Sequence, residues 1–561
     1  MINTVATAKN DVKEIVMSAL GKLVAEGKLP AEPLPAFAVE IPNDKTHGDF
    51  SCNAALVSAK TLKQNPRTIA SLIVDSAVLE GTVFEKIELA GPGFLNFFVS
   101  KNWFAETVNA VLREKEDYGK TNDGMGKKIL VEFVSANPTG PMHIGNARGG
   151  ALGDCLASLL QYAGYYVERE FYINDAGNQI NKFALSLDIR YRQHFGDNVE
   201  MPEDSYHGQD IIDHAENFAN KYSDKYLNTS EEERRQALVD YALPINIKGL
   251  EEDLLKYRIK YDTWFKESTL HNDGSVAEVI ELLKEKGYTY EQDGALWFKS
   301  SELGDDKDRV LIRANGVPTY SVPDIAYHYN KLVKRGFDTA IDILGADHHG
   351  YVPRMRAALS ALGVDSSRLD VVIMQMVRLV RNGETVKLSK RSGKAITLST
   401  LLDEIPMDAA RFFFNLRDPN THFEFDLDLA IEESSNNPVY YVQYAHARIC
   451  RILEKQKEDG NECKIIPEAE LVYTEKAEIE LIRHIAALPD VISEGAKTYN
   501  PSVITRYLVE FAQHFHKFYD ACPIKGTEEK VLQSRLSLCT AAKIVIKNLL
   551  DLLKVDAPEK M

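Results

Sequence analysis

The segment ILVEFVSANPTGPMHIGNARGGALGDCLASLLQYAGYYVEREFYI, residues 129–173, decides the fold of the middle of this chain. Residues 129–134 are a short apolar run of the kind that forms a buried parallel strand, and a turn rich in proline and glycine follows. Apolar residues then recur at helical spacing as far as Ala163, Gly164 supplies a helix stop, and residues 167–173 predict the next strand. The segment is therefore one βαβ unit, with His143-Ile144-Gly145-Asn146 at its first turn.

The start of this helix is suited to binding phosphate. A helix N-terminus presents unpaired backbone N–H groups and the positive end of the helix dipole. Gly145 leaves room for a nucleotide to lie close to the backbone. Phosphate chemistry therefore fits this turn, although a four-residue string of this kind also occurs by chance.

A second motif, Lys387-Leu388-Ser389-Lys390, lies about 240 residues later. It falls in a basic stretch, because residues 353–394 contain nine Lys and Arg against three Asp and Glu. A solvated basic face is the ordinary explanation of such a stretch. Because this one ends in four closely spaced Lys and Arg residues around a Ser-Gly pair, we favour a mobile loop that clamps phosphate.

The two motifs together resemble the two signature sequences of class I aminoacyl-tRNA synthetases. Three further segments narrow the resemblance to the arginyl-tRNA synthetase family: residues 132–137 (EFVSAN), 174–179 (NDAGNQ) and 437–445 (NPVYYVQYA). The resemblance runs essentially from end to end, closing on residues 557–561. One position departs from the family pattern, since Asn146 stands where the first signature ends in His. We expect catalysis to survive this exchange, because an amide N–H still donates to a phosphate oxygen.

The resemblance implies an ATP site made of both signatures. Joining a carboxylate to ATP displaces pyrophosphate through a crowded polyanionic transition state, so catalysis needs oriented positive charge. The resemblance assigns that role to His143, Asn146, Lys387 and Lys390, with Mg²⁺ accompanying the nucleotide. The remaining ATP contacts that it implies are Pro138, Thr139, Gly140, Pro141, Met142, Ile144, Gly145, Gly345, Asp347, His349, Leu388 and Ser389.

The resemblance also implies a pocket for L-arginine. A guanidinium carries five donors in a rigid fork, which paired carboxylates hold in charge-assisted hydrogen bonds and which lysine does not match. Because buried polar groups would be left unpaired by a wrong amino acid, no editing domain should be needed. Asp324 has an ordinary alternative as a helix N-cap. The residues that match the family's pocket are Glu132, Ser135, Asn137, Tyr320 and Asp324.

The expected fold class is α/β, with a Rossmann-type parallel-sheet catalytic domain between an α+β N-terminal domain and an all-α C-terminal anticodon-binding bundle. Apolar residues on one face of an opening helix and a strand pair within residues 85–99 indicate the first domain, and stripes at helical spacing indicate the last. A polar helical insertion is expected at about residues 180–290, with residues 229–235 on a solvated helix face. The expected boundaries are 1–115, 120–405, a connecting segment at 406–435 that contacts the tRNA stem, and 436–561.

The charge distribution is compatible with an RNA partner. The chain has a net charge of −17, but residues 436–561 hold 17 Lys and Arg against 18 Asp and Glu. The resemblance implies tRNA(Arg) as the partner, with Phe94 and Asn96 on a base of the D-loop and Tyr440 as a further contact. Phe94 could equally be a core residue.

The sequence has no stretch approaching 18 apolar residues and no apolar signal-type core at its start, so we expect a cytoplasmic enzyme, monomeric and without membrane contact. No structural metal is expected, because the adjacent Asp347-His348-His349 would converge poorly on one ion. Two other functions stay open. One is a nucleotidyl-transferring enzyme of the same superfamily acting on a small molecule, and the other is a non-catalytic RNA-binding paralogue.

Overall fold

The computed structural model of the protein describes residues 2–348, 350–386, 396–464, 467 and 470–561. His349 and the second signature, Lys387-Leu388-Ser389-Lys390, lie outside the described residues. Across the described ranges, no helix is both long enough and apolar enough to cross a membrane.

The N-terminal region is a four-stranded antiparallel sheet with helices packed on it, as predicted. Its elements are α1 (Thr4–Ala25), β1 (Val39–Glu40), β2 (Phe50–Cys52), α2 (Ala54–Leu62), α3 (Pro66–Ser76), β3 (Phe84–Ala90), β4 (Phe94–Val99) and α4 (Lys101–Glu114). The strand order is β1-β2-β4-β3. The predicted strand pair is the β3-β4 hairpin, whose turn contains Gly93 at φ 141°. A Cβ at Gly93 would lie 2.9 Å from the Cβ of Pro66, so the turn packs directly on the start of α3.

A five-stranded parallel sheet forms the centre of the molecule. Its strands and the first helices are β5 (Lys128–Glu132), α5 (Ile144–Tyr162), β6 (Tyr166–Ile173), α6 (Gly177–His194), α7 (Gln209–Tyr222), α8 (Glu231–Lys256) and β7 (Thr263–Lys266). The sheet order is β12-β11-β5-β6-β7, with β11 (Thr339–Gly345) and β12 (Leu369–Met374). The predicted βαβ unit is confirmed as β5-α5-β6. Strand β5 ends two residues before the predicted Val134, because Val134 and Ser135 have φ of 69° and 39°.

The predicted insertion is mostly helical, but it contains one strand of the central sheet. Helices α6, α7 and α8 pack around an apolar core of their own. Thr263–Lys266, which the helical prediction missed, instead pairs in parallel with β6 as the edge strand of the central sheet. The prediction of a solvated face at residues 229–235 is wrong for Arg234, whose guanidinium is buried and pairs with Asp188 at 2.5 Å. Neither partner reveals the pairing locally, since the two lie 46 residues apart.

The remaining elements of this region surround the sheet. They are α9 (Glu267–Asn272), α10 (Ser275–Glu285), β8 (Thr289–Gln292), β9 (Ala295–Phe298), β10 (Arg309–Ile312), α11 (Ser321–Tyr329), α12 (Tyr351–Ala361), β13 (Val377–Arg381), β14 (Glu384–Thr385), α13 (Leu398–Glu404), α14 (Met407–Phe414), β15 (Phe423–Asp426) and α15 (Leu427–Ile431). A π-helical turn, Asn330–Lys334, continues α11. Two small sheets, ordered β10-β9-β8 and β14-β13-β15, flank the central one.

The C-terminal region is a helical bundle, as predicted. It consists of α16 (Pro438–Glu458), α17 (Lys476–Ala486), α18 (Leu488–Thr498), α19 (Ser502–Ala521) and α20 (Glu529–Leu553). The predicted apolar stripes of α19 and α20 are buried in it. One continuous apolar core joins the bundle to α4 and α5, and the Tyr118 hydroxyl donates to the Ile485 carbonyl across that junction at 3.1 Å. The helix that starts at the first signature is therefore packed against the bundle.

Candidate active site

The signature turn, residues 137–146, leads from the carboxyl end of β5 to the start of α5. Helix α5 begins at Ile144, and His143 is its N-cap residue. His143 and Gly145 are exposed, and a Cβ placed on Gly145 would have no atom within 4 Å. Asn146 lies in the first helical turn and is half-buried. The N-terminus of α5 thus faces open space, as binding of a nucleotide phosphate requires.

The other predicted ATP contacts lie along this turn and at the neighbouring strand end. Pro138, Thr139, Met142 and Ile144 are buried, Gly140 is half-buried and Pro141 is exposed. Gly345 ends β11 next to β5, and exposed Asp347 follows it; a Cβ on Gly345 would lie 2.8 Å from Asp347 Oδ1. Among the described residues no group of three potential metal ligands occurs.

Residues 396–398, which come shortly after the second signature in the sequence, are hydrogen-bonded to the turn of the first. The segment that carries Lys387 and Lys390 is flanked by described residues, and Ile396 follows it directly. The Ile144 N–H donates to the Ile396 carbonyl at 3.2 Å, and the Leu398 N–H donates to the Met142 carbonyl at 2.9 Å. The described residues at 396–398 are therefore held against the turn of the first signature. The roles of Lys387, Leu388, Ser389, Lys390 and His349 stay predictions.

A buried arginine fixes α5 to the loop after β12 and to the loop before β15. The Arg148 guanidinium donates to the main-chain carbonyls of Gln375 (2.6 Å), Asp418 (3.1 Å) and Thr421 (3.2 Å). Burial lowers its pKa to about 10. Because three carbonyl dipoles solvate this charge, the geometry between α5 and the segments at 375 and 418–421 is narrowly defined.

The insertion holds the signature turn through residues that the sequence did not single out. Asn246 on α8 donates from Nδ2 to the Pro138 carbonyl at 3.0 Å, and its Oδ1 lies 2.7 Å from Nε2 of His214 on α7. Asp210, also on α7, approaches the same turn, because a Cβ on Gly140 would lie 3.4 Å from Asp210 Oδ2. Nothing local marks Asn246, which lies 108 residues from Pro138.

The predicted arginine pocket is an acidic cluster at the carboxyl end of the sheet. Glu132 ends β5 and is buried; its Oε1 accepts from the Ser135 hydroxyl at 2.8 Å. Asp324 lies in the first turn of α11 but is not its N-cap, which is Tyr320, so the N-cap alternative is wrong. Burial raises the pKa of Asp324 to about 6, and the charges of Glu267 and Glu132 add to this rise. Such a cluster favours a cationic ligand.

The remaining predicted pocket residues differ in their burial. Asn137 is exposed, and Tyr320 has 71% of its surface exposed, whereas Ser135 is half-buried and accepts from the Tyr172 N–H at 3.1 Å. The structure adds Glu267, which accepts from the Tyr172 hydroxyl at 3.0 Å. The sequence gives no signal for Glu267, because an isolated Glu at a helix start is ordinary.

The three predicted tRNA contacts lie on two elements, β4 and α16, and they differ in exposure. Phe94 opens β4 and is 38% exposed, which is compatible with stacking on a base, whereas Asn96 is 4% exposed and its Oδ1 accepts from the Ser51 hydroxyl at 3.0 Å. Tyr440 lies on α16, where its ring is parallel to that of Tyr444 at 6.3 Å. The two tyrosines line a cavity of about 510 Å³ together with Ser435, Tyr441, Arg448, His516 and Asp520.

Comparison with known proteins covers the whole chain. The model of the class I (R) tRNA synthetase catalytic domain matches residues 107–448, that of the arginyl-tRNA synthetase N-terminal domain matches 10–99, and that of the DALR anticodon-binding domain matches 442–561. Arginine–tRNA ligases of Caldanaerobacter subterraneus and Acetivibrio thermocellus are 52% and 50% identical to the chain over 100% of both sequences. The arginyl-tRNA synthetase structure of Thermus thermophilus has the same fold, with a TM-score of 0.73, 22% identity, and coverage of 99% of this chain and 100% of that one. The chain therefore belongs to the arginyl-tRNA synthetase family of class I tRNA synthetases.

Proposed function

We propose that this chain is an arginine–tRNA ligase, which uses ATP to convert L-arginine to arginyl-adenylate and transfers the arginyl group to the 3′ end of tRNA(Arg). The proposal rests on one observation: the acidic cluster and the signature turn both lie at the carboxyl end of β5. Glu132, the last residue of β5, lies in the acidic cluster, and the signature turn begins five residues later at Asn137. A guanidinium site and a phosphate site are therefore built on the same connection.

The chemistry at the phosphate site is electrostatic. Attack of the arginine carboxylate on the α-phosphorus forms the adenylate, and the bond to pyrophosphate breaks. The N-terminus of α5, with His143 at its N-cap position, would stabilise the negative charge of the transferring phosphates. Asn146 would donate from its amide, and Lys387 and Lys390 would supply the remaining positive charge. Mg²⁺ is proposed to arrive with ATP, held by phosphate oxygens.

Specificity would come from the carboxylates. Glu132 and Asp324 would accept charge-assisted hydrogen bonds from the guanidinium, which matches a planar carboxylate with two parallel N–H donors. Lysine offers a single ammonium and would leave buried acceptor positions unpaired. Ser135, Asn137 and Tyr320 are proposed to orient the rest of the substrate.

The outer regions are proposed to bind tRNA. Residues 1–115 would hold the D-loop through Phe94 and Asn96, residues 406–435 would follow the acceptor stem, and residues 436–561 would read the anticodon, with Tyr440 as one contact. The matches at 10–99 and 442–561 support this division around a catalytic domain at 120–405. An exposed aromatic ring suits base stacking. A monomer in the cytoplasm stays a prediction, which light scattering of the purified protein and its location in intact cells would check.

The decisive experiment is ATP-dependent charging of total tRNA with each of the 20 labelled amino acids in turn. We expect attachment of arginine alone. A chain that binds tRNA but charges nothing would be the non-catalytic paralogue. A chain that forms an adenylate on another small carboxylic acid and ignores tRNA would be the alternative nucleotidyl-transferring enzyme.

A further inference from the structure

A buried lysine lies behind the carboxylate that is proposed to bind arginine. The side chain of Lys331 is 0% exposed. Its Nζ lies 2.5 Å from Glu132 Oε2 and 2.9 Å from Asp342 Oδ1, and 4.1 Å from the ring centroid of Tyr327. Asp342 on β11 is the direct strand partner of Glu132 on β5, so the ammonium bridges two neighbouring strands. An ammonium is buried in this way only when its charge is fully compensated.

The helix that carries Lys331 is locally deformed. Residues Asn330–Lys334 form a π-helical turn directly after the regular helix α11. A π-turn widens the helix by one residue, which changes the direction in which the following side chains point. Single π-turns inside helices are frequently found at functional sites. This deformation is a second feature, independent of the ion pairs, that sets Lys331 apart.

The same network reaches the second carboxylate of the pocket. Nε2 of His328 lies 2.7 Å from Asp342 Oδ2, and its Nδ1 lies 2.8 Å from the main-chain carbonyl of Asp324. Both ring nitrogens therefore lie within hydrogen-bond distance of an oxygen atom. Lys331, Asp342 and His328 thereby join the side chain of Glu132 to the backbone of Asp324.

The charges of this cluster need the buried ammonium. Burial alone would lower the pKa of Lys331, but Asp342 and Glu132 raise it above its ordinary value overall. Burial alone would raise the pKa of Asp342, but Lys331 and His328 hold it well below its ordinary range. Glu132 has several carboxyl and phenol groups on the elements packed around it, and the Lys331 ammonium lies directly against its carboxylate. These groups are the carboxyls of Glu170, Asp324 and Asp342 and the phenols of Tyr172, Tyr261, Tyr327 and Tyr351.

We propose that Lys331 is a positioning residue for arginine recognition: it binds one oxygen of Glu132 from behind and holds that carboxylate in one orientation for the guanidinium. The inference rests on the proposed function. Ser135 binds the other oxygen of Glu132, and each carboxylate oxygen accepts more than one hydrogen bond, so acceptor capacity remains for substrate. Lys331 itself would not touch arginine. Its effect would be on the affinity for arginine and not on the affinity for ATP.

The test compares Lys331→Met with Lys334→Met in the full-length enzyme. Lys334 lies in the same π-turn, but its ammonium pairs with Glu278 at 2.6 Å and Ser275 at 2.9 Å, away from the pocket. Arginine-dependent ATP–pyrophosphate exchange is measured with tRNA present at pH 7, and it gives the KM for arginine and the KM for ATP. For Lys331→Met we expect the KM for arginine to rise at least about tenfold at pH 7 while the KM for ATP changes less than about twofold. Lys334→Met should match the wild type.

The comparison of the two KM values separates a positioning role from a structural one, because a general disturbance of the fold would affect arginine and ATP alike. A KM for arginine equal to that of the wild type would overturn the proposal, and so would equal rises in both KM values.

Asp342→Asn covers the case in which Lys331→Met does not fold. This variant weakens the network without removing the ammonium, and we expect a smaller rise in the KM for arginine, again without a change for ATP. An unchanged KM for arginine in Asp342→Asn would also count against the network. Failure of the proposed function is distinguishable, because then the wild type itself would show no arginine-dependent exchange.

Discussion

Replacing Asp324 with asparagine should stabilise the arginine-free enzyme while it weakens arginine binding. The carboxyl is partly buried next to Glu267 and Glu132, whereas His328 and Arg354 favour its ionised form. Burial raises its pKa from 3.8 to about 6. An asparagine has nearly the same shape and carries no charge, so it removes the cost of ionising this group in the folded protein.

The size and sign of the change in the free energy of unfolding follow from the pKa of Asp324 in the unfolded chain and in the folded protein. A rise of this extent corresponds to about 3 kcal/mol at neutral pH, as an upper limit because the side chain is not fully enclosed. Between the unfolded and the folded pKa, the folded protein retains a proton that the unfolded chain has released, so the carboxyl's contribution to stability falls as the pH rises. About half of the stability difference between Asp324→Asn and the wild type should be present at pH 5, and all of it above about pH 7.

The assay is thermal unfolding of wild type and Asp324→Asn from pH 5 to 8, with and without arginine. We expect the variant to melt above the wild type at pH 8, with a gap that narrows towards pH 5. Arginine should stabilise the wild type and have little effect on the variant, because a ligand stabilises only through its binding to the folded state. In kinetics, the KM of the wild type for arginine should rise below about pH 6. A gap of the same size at pH 5 and pH 8 would refute the reasoning, as would a variant that melts below the wild type at pH 8.

Three other substitutions test the separate parts of the site. His143→Ala should lower the rate of aminoacylation by about 10² to 10³ with tRNA affinity nearly unchanged, since a lost transition-state contact costs about 3 to 4 kcal/mol; wild-type rates would exclude the assignment. Asn246→Ala removes the donor to the Pro138 carbonyl, so the KM for ATP should rise by about tenfold in pyrophosphate exchange, the effect of about 1.4 kcal/mol; an unaltered value would show that the insertion does not hold the turn. Phe94→Ala should weaken tRNA binding in filter assays by about 1 to 3 kcal/mol and leave the KM for arginine unchanged; undiminished binding would return Phe94 to a packing role.

The sequence predicted those elements whose signal lies within a few consecutive residues. The unit β5-α5-β6 could be predicted because an apolar run, a turn and a helical stripe each span only a few residues. The β3-β4 hairpin could be predicted because turn-forming residues separate two strand-like runs in the sequence. The first signature is contiguous, so its place at a helix start follows from the same patterns. Family resemblance supplied the identity of the pocket residues, which periodicity alone does not carry.

Only the tertiary structure brought together the groups that surround those residues. Lys331 and Glu132 are 199 residues apart, and Asn246 and Pro138 are 108 apart. The short strand β7 could not be distinguished from the helices before it, because its four residues are half-buried or exposed at a sheet edge and leave no clear period. A buried charged side chain needs a partner of opposite charge. The pairing of the strands, and not the spacing in the sequence, decides which residue is that partner. The sequence alone therefore determined the chain's family, its βαβ unit and its signature turn, whereas packing of the sheet decided which polar groups support them.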